Sequence, residues 1–245
     1  MLAAFVLFAT WIVLGVPVAL VTLPWAALTG NVVPLYRGGL AVVRAGIRAA
    51  GIRIKPVWQG AIDPSQRYIF LSNHVSNLDG PVLIPLLPVR TSAFLKRSLM
   101  SIPMLGWGMR MAGYIPVDRD GRVESAVESE EAATRVLRSG VHILSFVEGT
   151  RSRDGRLQPF KKGPFYLAMN SGAPVVPVSI SGTAGMMKKG SLRVFPGVAQ
   201  VTFHAPMQPH DYATREDLMA AVRTAIASGL PAWMRGDEPS PPSQT

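Results

Sequence analysis

The chain opens on an unbroken apolar run. Residues 1–36 carry no charged side chain, and MLAAFVLFATWIVLGVPVALVTLPWAAL is apolar almost throughout. A helix needs about 20 such residues to span a bilayer, so the run is long enough to cross. Pro17 and Pro24 predict breaks, and Trp11 and Trp25 suit the membrane interface. Two shorter helices dipping into one leaflet are therefore the alternative to a span. A cleaved signal peptide is a further alternative, weakened because no basic stretch precedes the apolar run. From about residue 52 the pattern changes. Short β-branched or apolar runs predict strands at Ile52–Trp58, Tyr68–Leu71, Ala93–Leu95, Tyr114–Val117, His142–Phe146, Val175–Ile180 and Val198–Phe203.

Helical patterns lie between several of these strands. Glu124–Ser139 places acids early, Arg135 and Arg138 late, and Gly140 just beyond, an order that complements a helix dipole. Thr214-Arg215-Glu216-Asp217 resembles a capping box before Leu218–Ala227. Alternating strands and helices predict an α/β domain. The expected layout is N-terminal membrane-embedded helices over 1–50, the α/β domain over 51–230 and a disordered tail over 231–245. The tail rests on the Pro- and Ser-rich composition of Asp237–Thr245.

Composition and charge sharpen this picture. At 245 residues the chain fits one domain of ordinary size, or one domain with an appendage. It has no cysteine, which excludes a disulfide scaffold, a thiol nucleophile and Cys-ligated metals. Lys and Arg total 25 against 15 for Asp and Glu, a net charge of +10. Such a balance calls for an anionic partner: nucleic acid, anionic lipid or a phosphorylated substrate. The basic residues Arg37, Arg44, Arg48, Arg53 and Lys55 follow the apolar run directly, with no acid before Asp63. That placement resembles a juxtamembrane basic segment facing anionic membrane lipids, and the positive-inside rule puts the domain in the cytoplasm. Nucleic acid is disfavoured: no interleaved aromatics or recognised binding motif appear.

Two segments carry the chemistry. In Ser72-Asn73-His74-Val75-Ser76-Asn77-Leu78-Asp79-Gly80, a tight turn can bring the Asp79 carboxylate onto the His74 ring. Aspartate then fixes the tautomer and leaves the other nitrogen as a base. A structural histidine beside a loop carboxylate is the competing reading. Ser76 has no evident geometry as a nucleophile, and no Gly-x-Ser-x-Gly elbow exists. The second segment, Phe146-Val147-Glu148-Gly149-Thr150-Arg151-Ser152, ends a predicted strand. Glycine admits backbone amides and arginine offers a fork, which suits a phosphate. An exposed basic loop is the plainer alternative. Leu99–Met111, rich in Met with Trp107, suits an acyl-chain tunnel or membrane-facing surface on one reading and a packed core on the other.

Together these segments resemble the glycerolipid acyltransferases of the 1-acylglycerol-3-phosphate acyltransferase (lysophosphatidic acid acyltransferase) kind. Asn73-His74-x4-Asp79 matches the first block of that family. Lys96-x2-Leu99-x6-Gly106-x12-Arg119 matches the second, Phe146-x-Glu148-Gly149-Thr150-Arg151 the third, and Val175–Ile180 the fourth. Val147 stands where the family commonly has proline.

The resemblance implies a mixed, largely parallel sheet wrapped by helices, behind an N-terminal two-helix membrane element. It implies His74 as general base and Asp79 as its support. Lys96, Arg119, Glu148, Gly149, Thr150 and Arg151 would hold the acceptor, lysophosphatidic acid. The acyl donor would be acyl-CoA or an acyl-acyl carrier protein, with no bound cofactor and no metal. The expected location is the cytoplasmic face of the cell inner membrane. Two other functions remain open at this point: acylation of another lysophospholipid or a lyso-aminolipid, and a non-catalytic lipid-binding membrane protein.

Overall fold

The computed structural model describes residues 2–88, 90–118 and 123–236. Two helices come first, α1 (Leu2–Thr29) and α2 (Val33–Ala49). The break expected at Pro17 and Pro24 does not occur, because α1 runs straight through both. The chain turns instead at residues 30–32, where Gly30 adopts a positive φ of 69°. The two helices pack through small residues of α2. A Cβ on Gly46 would lie 2.2 Å from Trp11 Nε1, and one on Gly38 would lie 2.6 Å from Val18 Cγ1.

The rest alternates as the pattern predicts. The strands are β1 (Ile52–Trp58), β2 (Ile69–Ser72), β3 (Thr91–Lys96), β4 (Ile115–Val117), β5 (His142–Phe146), β6 (Val175–Ser181) and β7 (Gly197–Phe203). The helices are α3 (Asp79–Leu83), α4 (Leu105–Met111), α5 (Val123–Arg138), α6 (Gly163–Ser171), α7 (Thr183–Met186), α8 (Arg215–Ser228) and α9 (Ala232–Arg235). The capping box is formed: Asp217 N donates to Thr214 Oγ1 while the Asp217 carboxylate accepts from the Thr214 backbone. The residues from 231 that were expected to begin a disordered tail hold α9, with Met234 buried. Residues 237–245 lie outside the described residues.

Among the described residues the strands form one sheet in the order β1-β7-β6-β2-β5-β3-β4. All neighbouring pairs are parallel except β6 with β7. The sheet is thus mixed and largely parallel, with β1 and β7 running against the other five. A parallel strand buried on both faces reads as a continuous apolar run, which is why β2 and β6 do. All seven residues of β6 are buried.

The sheet separates two apolar layers. One holds Phe70, Leu144, Val176 and Phe203 together with Leu7 of α1 and Ile47 of α2. The other holds Ile69, Ile143 and Val175 against Phe165 of α6 and Leu218, Val222 and Ile226 of α8. Five strands running the same way present their carboxyl ends along one edge. In open α/β sheets that edge is where ligands bind.

Candidate active site

The turn after β2 is built around one carboxylate. Asp79 is fully buried. Its Oδ2 accepts from the backbone N–H groups of Val75 and Ser76 and from His74 Nδ1, each at 2.7 Å. Its Oδ1 accepts from Thr183 Oγ1 at 2.5 Å. A buried carboxylate is tolerated when its lone pairs are matched in this way. The spacing of five residues closes because the turn folds its own amides onto the side chain at its end.

The proton on Nδ1 belongs to the Asp79 contact, which leaves Nε2 with its lone pair. The His74 ring stacks on Phe146, centroids 3.9 Å apart and planes 15° from parallel. Phe146 is the last residue of β5, so the imidazole is held from two strands. Asn73 fastens the turn to a third: its Nδ2 donates to Ile180 O at 2.9 Å and its Oδ1 accepts from Ile180 N at 2.8 Å. Ser76 is structural, donating from Oγ to Met187 O at 2.7 Å and accepting from Leu78 N at 3.2 Å.

The second segment follows β5 on the same edge. Val147 N donates to Ser72 O at 3.0 Å, a rung that proline could not supply. Gly149 holds a positive φ of 69°, which disfavours any residue with a Cβ. Ser152 N donates to His74 O at 2.8 Å, so the loop folds directly onto the His74 turn. Arg151 Nη1 donates to Asn77 Oδ1 within that turn.

Glu148 has a different placement from the rest of its motif. It is buried, and both oxygens accept backbone amides: His74 N at 2.7 Å and Gln158 N at 3.0 Å. Burial pushes its carboxyl up to about 7, against the pull of those two amide bonds. Its position is that of a brace between the His74 turn and the loop, with its carboxylate oxygens facing protein. Lys96 ends β3 on the same edge with its side chain exposed. Arg119 follows β4 but lies outside the described residues. Gly106, the glycine of the second block, leaves no room for a side chain: a Cβ there would lie 2.0 Å from Met100 O.

Three contributors were not visible as site residues in the sequence. Thr183 reaches Asp79 across 104 positions. Asn77 holds Arg151. Lys189 Nζ donates to Arg151 O at 2.7 Å. Each has an ordinary local setting in the chain, and only the tertiary packing of α7, the loop after β5 and the segment after α7 around the turn gives it meaning. The remaining histidines are elsewhere. His142 is buried and accepts from Tyr68 N at 3.1 Å, and burial holds its ring down to about 4. His204 contacts Ser179 and Gln59, each at 2.8 Å, and His210 is exposed.

Comparison with known proteins shows the family and the fold. The Acyltransferase family model matches residues 50–181. A 1-acyl-sn-glycerol-3-phosphate acyltransferase of Limnanthes douglasii is 33% identical over 236 residues, covering 93% of this chain and 82% of that protein. The human 1-acyl-sn-glycerol-3-phosphate acyltransferase alpha is 33% identical over 170 residues, 69% of this chain and 60% of its own. The crystal structure of the 1-acyl-sn-glycerophosphate acyltransferase PlsC from Thermotoga maritima matches with a TM-score of 0.76 at 24% identity, covering 93% of each chain, and supports the fold. The chain belongs to the acyltransferase family, with 1-acyl-sn-glycerol-3-phosphate acyltransferases among its relatives.

Proposed function

We propose that this acyltransferase moves an acyl chain from an acyl thioester to the free hydroxyl of lysophosphatidic acid, making phosphatidic acid. One observation carries the chemistry: a histidine whose Nδ1 is held 2.7 Å from a buried aspartate, on the strand edge that also bears Arg151. His74 Nε2 takes the hydroxyl proton as the oxygen attacks the thioester carbonyl. The tetrahedral intermediate collapses with cleavage of the C–S bond, and the imidazolium returns its proton to the departing thiolate. No acyl-enzyme is needed, in keeping with the structural role of Ser76.

Arg151, Thr150 and Gly149 form the acceptor side, with Lys96 and Arg119 adding charge toward the same phosphate. Arginine suits a phosphomonoester because its fork matches two oxygens. The thioester supplies the activation, so no bound cofactor enters the scheme. Acyl-CoA and acyl-acyl carrier protein are both anionic and both suit a chain of net charge +10.

The apolar first helix supports attachment of this enzyme to a membrane, and the basic residues that follow it favour the cytoplasmic face of the inner membrane. At 28 residues α1 is about 42 Å long, and it is long and apolar enough to cross a bilayer. Yet it is fastened to the domain toward both ends. Leu7 lies in the apolar layer beside the sheet, and Leu23 Cδ2 lies 3.5 Å from where a Cβ on Gly108 would sit. Leu2, Phe5, Val13, Leu20, Val21 and Leu28 are exposed on α1. Leu99, Ile102, Met104, Leu105 and Trp107 are exposed on and before α4, so the Met-rich segment offers surface more than core. A helix packed on the domain with a wide apolar outer face suits contact with bilayer acyl chains.

The test is a lipid mass-spectrometric assay of the purified protein with a panel of lysolipid acceptors and both donor types. Lysophosphatidate is expected to be acylated fastest. A phosphodiester or amino-acid lysolipid turned over much faster would replace this acceptor.

A further inference from the structure

The segment between α7 and β7, residues 187–196, takes no part in the bond changes above. It reads Met187-Lys188-Lys189-Gly190-Ser191-Leu192-Arg193-Val194-Phe195-Pro196. Met187 and Val194 are buried, whereas Leu192 and Phe195 are 73% and 51% exposed. A lone exposed apolar residue needs no explanation. Here two stand among three cations, and from Gly155 to His210 the chain holds no Asp or Glu. Exposed apolar side chains interleaved with cations fit the boundary between anionic headgroups and acyl chains.

Placement decides what the segment faces. Val194 packs in the same apolar layer as Leu7 of α1 and Ile47 and Ala50 of α2. Gly197 N donates to Gly51 O at 3.4 Å, and a Cβ on Gly51 would lie 3.1 Å from Pro196 Cβ. The segment therefore adjoins the end of α2 and shares an apolar layer with Leu7 of α1. Its other end is fastened to the base-bearing turn, since Met187 O accepts from Ser76 Oγ, and Lys189 Nζ holds Arg151 O.

We propose that residues 187–196 are a second membrane-contact element, whose partner is an anionic phospholipid bilayer. Leu192 and Phe195 enter the upper acyl layer, Lys188 and Arg193 meet lipid phosphates, and Lys189 links the seated segment to the acceptor loop. This rests on the reading of α1 as the anchor and adds to it. A single anchoring helix leaves the domain free to roll about that helix's axis. A second contact tied to the His74 turn stops the roll with the acceptor side turned toward the lipid surface.

The chain contains no cysteine, so single-cysteine variants each carry one fluorophore. Val13→Cys reports on α1, Leu192→Cys on the segment, and Ser139→Cys on the exposed end of α5 that leads into the amino end of β5. Each full-length variant is placed in phosphatidylcholine vesicles with and without phosphatidylglycerol, together with a lipid spin-labelled at shallow acyl depth. The Leu192 label should be quenched at least threefold more than the Ser139 label, and less so without phosphatidylglycerol. An unquenched Val13 label overturns the anchor reading itself. A quenched Val13 label with Leu192 no more quenched than Ser139 overturns this inference alone. A Leu192 label that responds to acyl carrier protein and not to vesicles assigns the segment to a protein donor and also overturns it.

A double variant, Leu192→Glu with Phe195→Glu, supplies a second readout. Activity on bilayer-dispersed lysophosphatidate should fall about tenfold, while activity on a short-chain, water-soluble lysophosphatidate stays within twofold. Equal loss on both substrates, or loss on neither, contradicts the proposal.

Discussion

The two halves of the site are made differently. The His74 side is buried and matched: Asp79 has four donors on two oxygens, and the Asn73 side-chain amide locks the turn to β6 through a pair of bonds to the Ile180 backbone. The acceptor side is held by long side chains near the surface, Arg151 to Asn77 and Lys189 to Arg151. Burial fixes geometry because each unmatched polar group there costs about 1–3 kcal/mol. Surface contacts impose far less, so the acceptor loop can adjust to a headgroup. Under the proposed mechanism, the difference teaches that proton transfer is pre-positioned by the fold, whereas acceptor recognition is left compliant.

Changes on the buried side should therefore strike turnover, and changes on the exposed side should strike acceptor binding. The largest effect is expected from Asp79→Asn. One amide oxygen cannot serve all four donors, and the tautomer preference is lost. Turnover should fall about 10²–10⁴-fold in a steady-state acyl-transfer assay. Loss of less than tenfold would show that the base needs no such support.

Arg151→Ala breaks the other side. The apparent KM for lysophosphatidate should rise about tenfold or more, as expected for removal of a charge-assisted pair, with a smaller change in kcat. An unchanged KM would detach Arg151 from the acceptor.

Thr183→Val sharpens the contrast, because it removes a single buried bond to Asp79 without touching charge. A kcat lower by about tenfold and a stability loss of about 1–3 kcal/mol are expected. Denaturation in detergent and initial rates measure the two together. A rise in KM alone would move Thr183 to the acceptor side.

Much of this was legible in the chain. The positions of β2, β5 and β6 followed from apolar runs, because strands buried on both faces leave no polar alternation to confuse them. His74, Asp79 and Arg151 were legible because each block is short and its members are near in sequence. Thr183 and Lys189 were not, since their partners lie 104 and 38 positions away and hydroxyls and lysines are common. Glu148 was assigned with its neighbours to the acceptor, yet its carboxylate turns inward to two amides. Sequence gives the members of a motif and does not give the direction each one faces. The prolines of α1 misled for a related reason: an apolar helix packed on a neighbour can absorb the lost backbone bonds.

Glu148→Gln tests the brace through the pH dependence of stability, and it is the variant expected to change turnover least. The carboxyl is raised from 4.5 to about 7, so the fold favours its neutral form. That contribution to stability is complete below pH 4.5 and is lost as pH rises through about 7. The shift corresponds to roughly 3 kcal/mol over the window. In Glu148→Gln the thermal midpoint should change less with pH between 4.5 and 7 than in the parent. An identical pH dependence in both would assign the titration to another group.

The central claim is that His74 removes the acceptor's proton. Its most direct test is the turnover of His74→Ala with lysophosphatidate and an acyl thioester, alongside vesicle attachment and thermal stability. The predicted result is a loss of about 10²–10⁴-fold with attachment and stability retained. Near-normal turnover in that variant would contradict the account.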